Sequence, residues 1–140
     1  MKTTKLTEVK YHESFVSLEL ANELKELGFD WETNAHYDNP YNLLIINTFY
    51  ADSSKNENEF AVAAPTLAVA QKWLHEKQGV FIEILWKFTN PDIEYYCKIF
   101  YKGTFYETEL LKSYEDAQSA GINKAINLIK EQIKKYENTL

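Results

Sequence analysis

The spacing of apolar residues along the chain switches between a period near 3.6 and a period of two, and the switches mark the predicted elements. After Ser17, residues Leu20, Leu24 and Leu27 recur at helical spacing until Gly28. Ser17 is placed to cap this helix, Glu19 to meet the positive end of its dipole, and Val16 and Ala21 to staple its entry. Pro65-Thr66 opens a second helix, which gathers Leu67, Ala70, Trp73 and Leu74 on one side and ends at Gly79. Residues 80–88 and 93–102 then alternate as strands, with Thr89-Asn90-Pro91-Asp92 between them. A third strand, 104–111, follows the turn at Lys102-Gly103. Ser113 caps a long last helix, with Glu115 and Asp116 in its first turn. Its stripe is broad, with Ala117, Gly121, Ala125, Ile129 and Ile133 at i+4 and Ile122 and Ile126 alongside. A glycine inside a helix costs about 1 kcal/mol relative to alanine, so Gly121 predicts a close approach of helix to sheet.

The strands sort into faces. Ile82, Ile84 and Trp86 share one side of the first, and Cys97, Ile99 and Tyr101 one side of the second. These sets are the predicted core. The opposite sides carry Phe81, Glu83, Leu85 and Lys87, then Tyr96, Lys98, Phe100 and Lys102, the mixture of a half-exposed sheet face. Residues 43–50 begin with Leu43, Leu44, Ile45 and Ile46, which predicts a strand inside the sheet or covered on both sides. Residues 1–16 read as an extended lead-in or a short edge strand, 29–32 as a short strand or docked loop, and 34–42 as loop. Residues 51–59 form a polar, flexible loop, and 60–64 a brief strand or a lead into Pro65. The expected fold is a single α+β domain over residues 1–140. It has a mostly antiparallel sheet, helices packed chiefly on one face, and the order α-β-α-β-β-β-α.

Charge adds an asymmetry. Residues 1–64 hold 11 acids and 5 lysines, whereas residues 65–140 hold 10 of each, so the net charge of −6 belongs to the N-terminal half. The chain has no arginine, the usual bidentate reader of phosphate and guanine, which weighs against nucleic-acid binding. A single cysteine, Cys97, forms no internal disulfide and suits a reducing compartment. No apolar run follows the N-terminal lysines and no long apolar stretch exists, so neither a signal peptide nor a membrane span is expected, and the expected location is cytoplasmic.

Residues that carry chemistry are scattered. His12, His36 and His75 form no metal-binding spacing, and His36-Tyr37-Asp38 reads as an ordinary loop. Cys97 sits mid-strand on the core face, where a nucleophile would be buried. Asp30 and Glu32 bracket Trp31 without a partner base, and the glycines make no phosphate-cradling loop. No catalytic residue, cofactor or metal is therefore expected. The remaining candidate is a surface: Phe81, Leu85, Tyr96, Phe100 and Tyr106, with Lys87, Lys98 and Lys102. Such a face stacks bases or anchors a protein, unless the N-terminal helix or strand covers it.

Three stretches carry a resemblance: 6–31 (LTEVKYHESFVSLELANELKELGFDW), 64–82 (APTLAVAQKWLHEKQGVFI) and 113–129 (SYEDAQSAGINKAINLI). They resemble a family of small proteins from Bacteroides-type gut bacteria and their prophages or other mobile elements. The stretches cover under half of the chain, in the same order. The resemblance implies an intracellular, phage-linked setting and carries over no catalytic residue. From Thr66 onward, the order helix, three strands, helix is also similar to that of double-stranded-RNA-binding domains. Those domains carry a basic cluster at the start of the last helix. Here that place reads Ser113-Tyr114-Glu115-Asp116, which repels phosphate, so the likeness is one of topology.

The expected role is non-enzymatic: binding another protein through the acidic half, around Glu23 and Glu26, or through the aromatic sheet face. An acidic surface also admits nucleic-acid mimicry. The alternative is a nucleic-acid-binding module built on the same lysines and aromatics. Self-association stays open.

Overall fold

A computed structural model of the protein describes residues 14–38, 41–46, 55–56 and 61–140. The predicted lead-in before Ser14, the second half of the predicted strand 43–50 and most of the loop 51–59 lie outside these residues. The described elements are α1 (Leu18–Glu26), β1 (Ala35–Asp38), β2 (Leu43–Ile46), β3 (Ala61–Ala63), α2 (Leu67–Gln78), β4 (Phe81–Phe88), β5 (Ile93–Tyr101), β6 (Thr104–Glu107) and α3 (Tyr114–Asn138). The fold is α+β, and its strands divide into two antiparallel sheets, β2-β1-β3 and β4-β5-β6.

Each helix starts at its predicted cap. The hydroxyls of Ser17, Thr66 and Ser113 accept from the amides of Leu20, Val69 and Asp116. Each bond satisfies one of the N–H groups that a helix start leaves without a partner. Gly79 ends α2 in the left-handed region, at φ +68°, which its lack of a Cβ permits.

The β2-β1-β3 sheet departs from expectation in two places. β1 forms inside a segment read as loop, because it pairs on both sides, with Tyr37 standing between Leu44 and Val62. β2 is not buried on both faces. It lies at the sheet edge, and Leu43, Leu44, Ile45 and Ile46 are all exposed among the described residues. An apolar run reports strand tendency, whereas burial is set by position in the sheet. Side chains tie this sheet to the body. The Tyr37 hydroxyl donates to the Val16 carbonyl at 2.7 Å, and Asn56 links the Phe29 carbonyl to the Ala63 amide.

The core lies between β4-β5-β6 and the helices. Cys97, Ile99 and Tyr101 meet Ala117, Ile122, Ala125, Ile126 and Ile129 of α3, and Leu20, Leu24, Phe29, Leu67, Trp73 and Leu74 extend the cluster under α1 and α2. The close approach at Gly121 is present: a Cβ there would lie 2.6 Å from Cys97 Sγ. One polar relay crosses the layers. Buried Gln118 donates to Gln71 Oε1 at 2.9 Å, and Gln71 Nε2 donates to the Ile82 carbonyl at 2.8 Å. α3 outruns the core. Its buried residues end at Ile129, and Ile133, expected in the apolar stripe, is exposed.

Candidate functional site

Register decides which side chains share the outer face of β4-β5-β6. Phe81, Glu83, Leu85 and Lys87 stand opposite Phe100, Lys98, Tyr96 and Glu94. On β6, Phe105 stands beside Phe100 and Glu107 beside Lys98. Alternation puts all of these on the side turned away from the helices. Helices α2 and α3 pack on the other side; on this one, among the described residues, no helix or strand lies across the sheet, and His75 near the end of α2 reaches Phe81 at its margin.

The face is organised in rows. Phe81, Phe100 and Phe105 form an aromatic row, with ring centroids 6.2 and 4.7 Å apart, and His75 packs edge-on against Phe81 at 4.5 Å. Phe81 is 49% and Phe105 64% exposed. Next comes a charged row of Glu83, Lys98 and Glu107, then Leu85 with Tyr96, then Lys87 with Glu94. The lysines lie back on their own sheet: Lys87 Nζ is 5.2 Å from the Tyr96 ring centre and Lys98 Nζ 5.5 Å from that of Phe105.

Six of the expected residues therefore come together: Phe81, Leu85, Lys87, Tyr96, Lys98 and Phe100. Two do not. Lys102 sits in the turn, its ammonium 5.8 Å from the Tyr101 ring centre. Tyr106 stands opposite Ile99 on the helix side, beneath Lys124 at 5.5 Å. Phe105 holds the place assigned to Tyr106. A signal for this was present, because the two-residue turn Lys102-Gly103 pairs Tyr101 with Thr104 and hence Phe100 with Phe105.

The far end of the hairpin carries a second apolar group on the helix side. Trp86, expected in the core, is 63% exposed, and Phe88 and Ile93 are exposed beside it. The reason is position: β4 is an edge strand, and at this level only the first turn of α3 has begun, its Tyr114 ring 6.2 Å from Tyr95 on the central strand. β6 also stops short here. Thr108 Oγ1 accepts from the Cys97 amide, and pairing resumes between Tyr95 and Leu111 with one extra residue on the outer strand, a bulge.

The other candidates fall away from a site. Glu23 and Glu26 both engage Lys130, at 3.5 and 3.4 Å, so these acids are already met by a cation. Among the described residues no group of His, Cys, Asp and Glu could hold a metal ion, and no helix is long and apolar enough to cross a membrane.

Cys97 is buried, and its thiol donates to the Ala117 carbonyl at 2.9 Å. Burial pushes the thiol up to about 11, opposed in part by a backbone hydrogen bond at Gly121. A free thiol ionises at roughly 8.5, so above that pH the unfolded chain has released a proton that the folded chain keeps. The stability from this group is fully present below the unfolded value and is lost as pH rises toward about 11. Denaturant midpoints measured from pH 8 upward should therefore fall more steeply in the wild type than in Cys97→Ala. Parallel curves would show a thiol with ordinary ionisation.

The geometry thus defines an α+β chain with one face of β4-β5-β6 backed by helices and the other, among the described residues, without a covering element. Comparison with protein-family models, with curated proteins and with solved structures finds no match.

Proposed function

We propose that the protein acts by binding another protein, without catalysis, through the open face of β4-β5-β6. The observation that carries this reading is the aromatic row Phe81, Phe100 and Phe105, exposed at both ends and flanked by charged residues. Large exposed rings beside a charged row are what protein interfaces use as anchors. The charges on this face favour a protein over nucleic acid. Three glutamates, Glu83, Glu94 and Glu107, are matched by three lysines, Lys87, Lys98 and Lys112, the last 3.3 Å from Glu94, so the face carries no excess of positive charge. Phosphate would meet a glutamate beside each of these lysines. A phage or mobile-element setting rests on the resemblance of the three stretches.

Tagged protein passed through a cell lysate, with and without nuclease, tests this beside a Phe105→Glu variant. Phe105 is exposed, so the variant should keep the wild-type melting temperature. The expected result is a protein retained by the wild type after nuclease and reduced about tenfold or more in the variant. Equal capture by both would remove this face from the mechanism. Capture that disappears with nuclease would move the reading to nucleic acid.

A further inference from the structure

Among the described residues β4 is an edge strand of its sheet. Its hydrogen-bonding parity follows from the turn, where the Thr89 amide bonds the Asp92 carbonyl at 2.7 Å, and from the reciprocal bonds of Tyr95 with Leu111 on the other side of β5. Residues 81, 83, 85 and 87 turn their backbone groups toward β5, while Ile82, Ile84, Trp86 and Phe88 turn theirs outward. The Ile82 carbonyl is taken by Gln71. From Ile84 onward, among the described residues, no strand pairs with this edge. Edges are usually protected by short length, proline, bulges, inward-pointing charge or lysine, and on β4 the lysine, Lys87, is accompanied by Glu83 of opposite sign. β4 is eight residues long with no proline, and Ile84, Trp86 and Phe88 alternate along it.

We propose that β4 pairs antiparallel with β4 of a second copy of this chain, about a two-fold axis through Leu85. In that register Ile84 and Trp86 exchange backbone hydrogen bonds with the partner's Trp86 and the partner's Ile84. Leu85 meets the partner's Leu85. Glu83 meets the partner's Lys87, and Lys87 meets the partner's Glu83. Charge complementarity is what selects a second copy. Within one chain the charged row runs Glu107, Lys98, Glu83. Across the axis it continues to the partner's Lys87 and the partner's Glu94, so signs alternate across five neighbouring strands of a six-stranded sheet. The neighbouring row becomes Tyr96, Leu85 and their symmetry mates. Exposed Trp86 finds cover against the partner's Ile84 on the helix side. The contact is isologous and closes on itself. Gln71, on the Ile82 carbonyl, marks where the pairing stops. This pairing uses the strand edge, and it stands or falls separately from protein binding on the open face.

Sedimentation equilibrium on the full chain tests it. The wild type should show a dimer of twice the 16.4 kDa chain mass. Glu83→Lys and Lys87→Glu each place like charges opposite one another at both ends of the contact, and each should weaken dimerisation about tenfold. An equimolar mixture of the two variants restores opposite charges at both ends and should recover the wild-type affinity as a heterodimer. That recovery separates pairing from a loss of fold, because each variant also disturbs its own sheet. A wild type that stays monomeric at roughly 0.1 mM, where a micromolar dimer is almost fully formed, would overturn the proposal. So would a dimer unaffected by either substitution, or singly weakened variants that fail to recover when mixed.

Discussion

Phe29→Ala is expected to cost about 3–5 kcal/mol. Phe29 follows the glycine that ends α1 and is only 1% exposed. Its ring stands edge-on to Trp73 of α2 at 5.4 Å and tilted to Trp31 at 6.4 Å. Its amide bonds the Leu24 carbonyl at 2.9 Å, and its carbonyl accepts from Asn56. The backbone on both sides is therefore held, and the cavity left by the ring has little freedom to collapse. One feature moderates the loss: among the described residues buried Trp73 Nε1 has no hydrogen-bond partner, and water entering the cavity would supply one. Urea unfolding at unchanged slope reads the effect, with Asp30→Ala next to it as an exposed control that should stay within about 0.5 kcal/mol. A loss below about 1 kcal/mol would mean that α1 and α2 are not joined through this ring.

Gly121→Val should cost about 3 kcal/mol or more, for the opposite reason. The site is too full. A Cβ alone would meet Cys97 Sγ at 2.6 Å, Ile82 Cγ2 at 3.0 Å and Cys97 Cβ at 3.1 Å. Cys97 cannot swing away freely, because it is fully buried and its thiol is bonded to Ala117. The sign of the smaller change is diagnostic. In an open helix Gly→Ala gains about 1 kcal/mol, whereas Gly121→Ala should lose stability. Adding Cys97→Ala should return part of that loss, giving a coupling of roughly 0.5–3 kcal/mol in a double-mutant cycle. A stabilising Gly121→Ala would show that helix and sheet do not meet here.

Helices were readable because their signals are local. Ser17, Thr66 and Ser113 announce their own caps, and Gly121 announces the contact that required it. β4 and β5 were readable because one backed face leaves a clean alternation. What escaped depends on partners distant in sequence. The segment of His36, Tyr37 and Asp38 is a strand only because β2 and β3 lie on either side of it. Leu43 to Ile46 look like a central strand and form an edge, since nothing in four apolar residues records how many neighbours they have. Trp86 obeys the core alternation but lies at the level where α3 is only beginning. Of the candidate face, the β4 and β5 members were legible from parity. Tyr106 was misplaced because its parity depends on the length of a turn, and Phe105 was missed with it.

The last helix has a consequence for cooperativity. α3 has 25 residues and is roughly 37 Å long at 1.5 Å per residue. Its buried positions, from Ala117 to Ile129, are inseparable from the core. Everything after Lys130 is exposed, and Lys130 itself is pinned to α1 by two carboxylates. By hydrogen bonding α3 is one helix, but by free energy it is two. Amides from Ala117 to Ile129 should exchange with solvent only when the whole domain opens, while those beyond Lys130 open turn by turn from the end, at a small fraction of that cost.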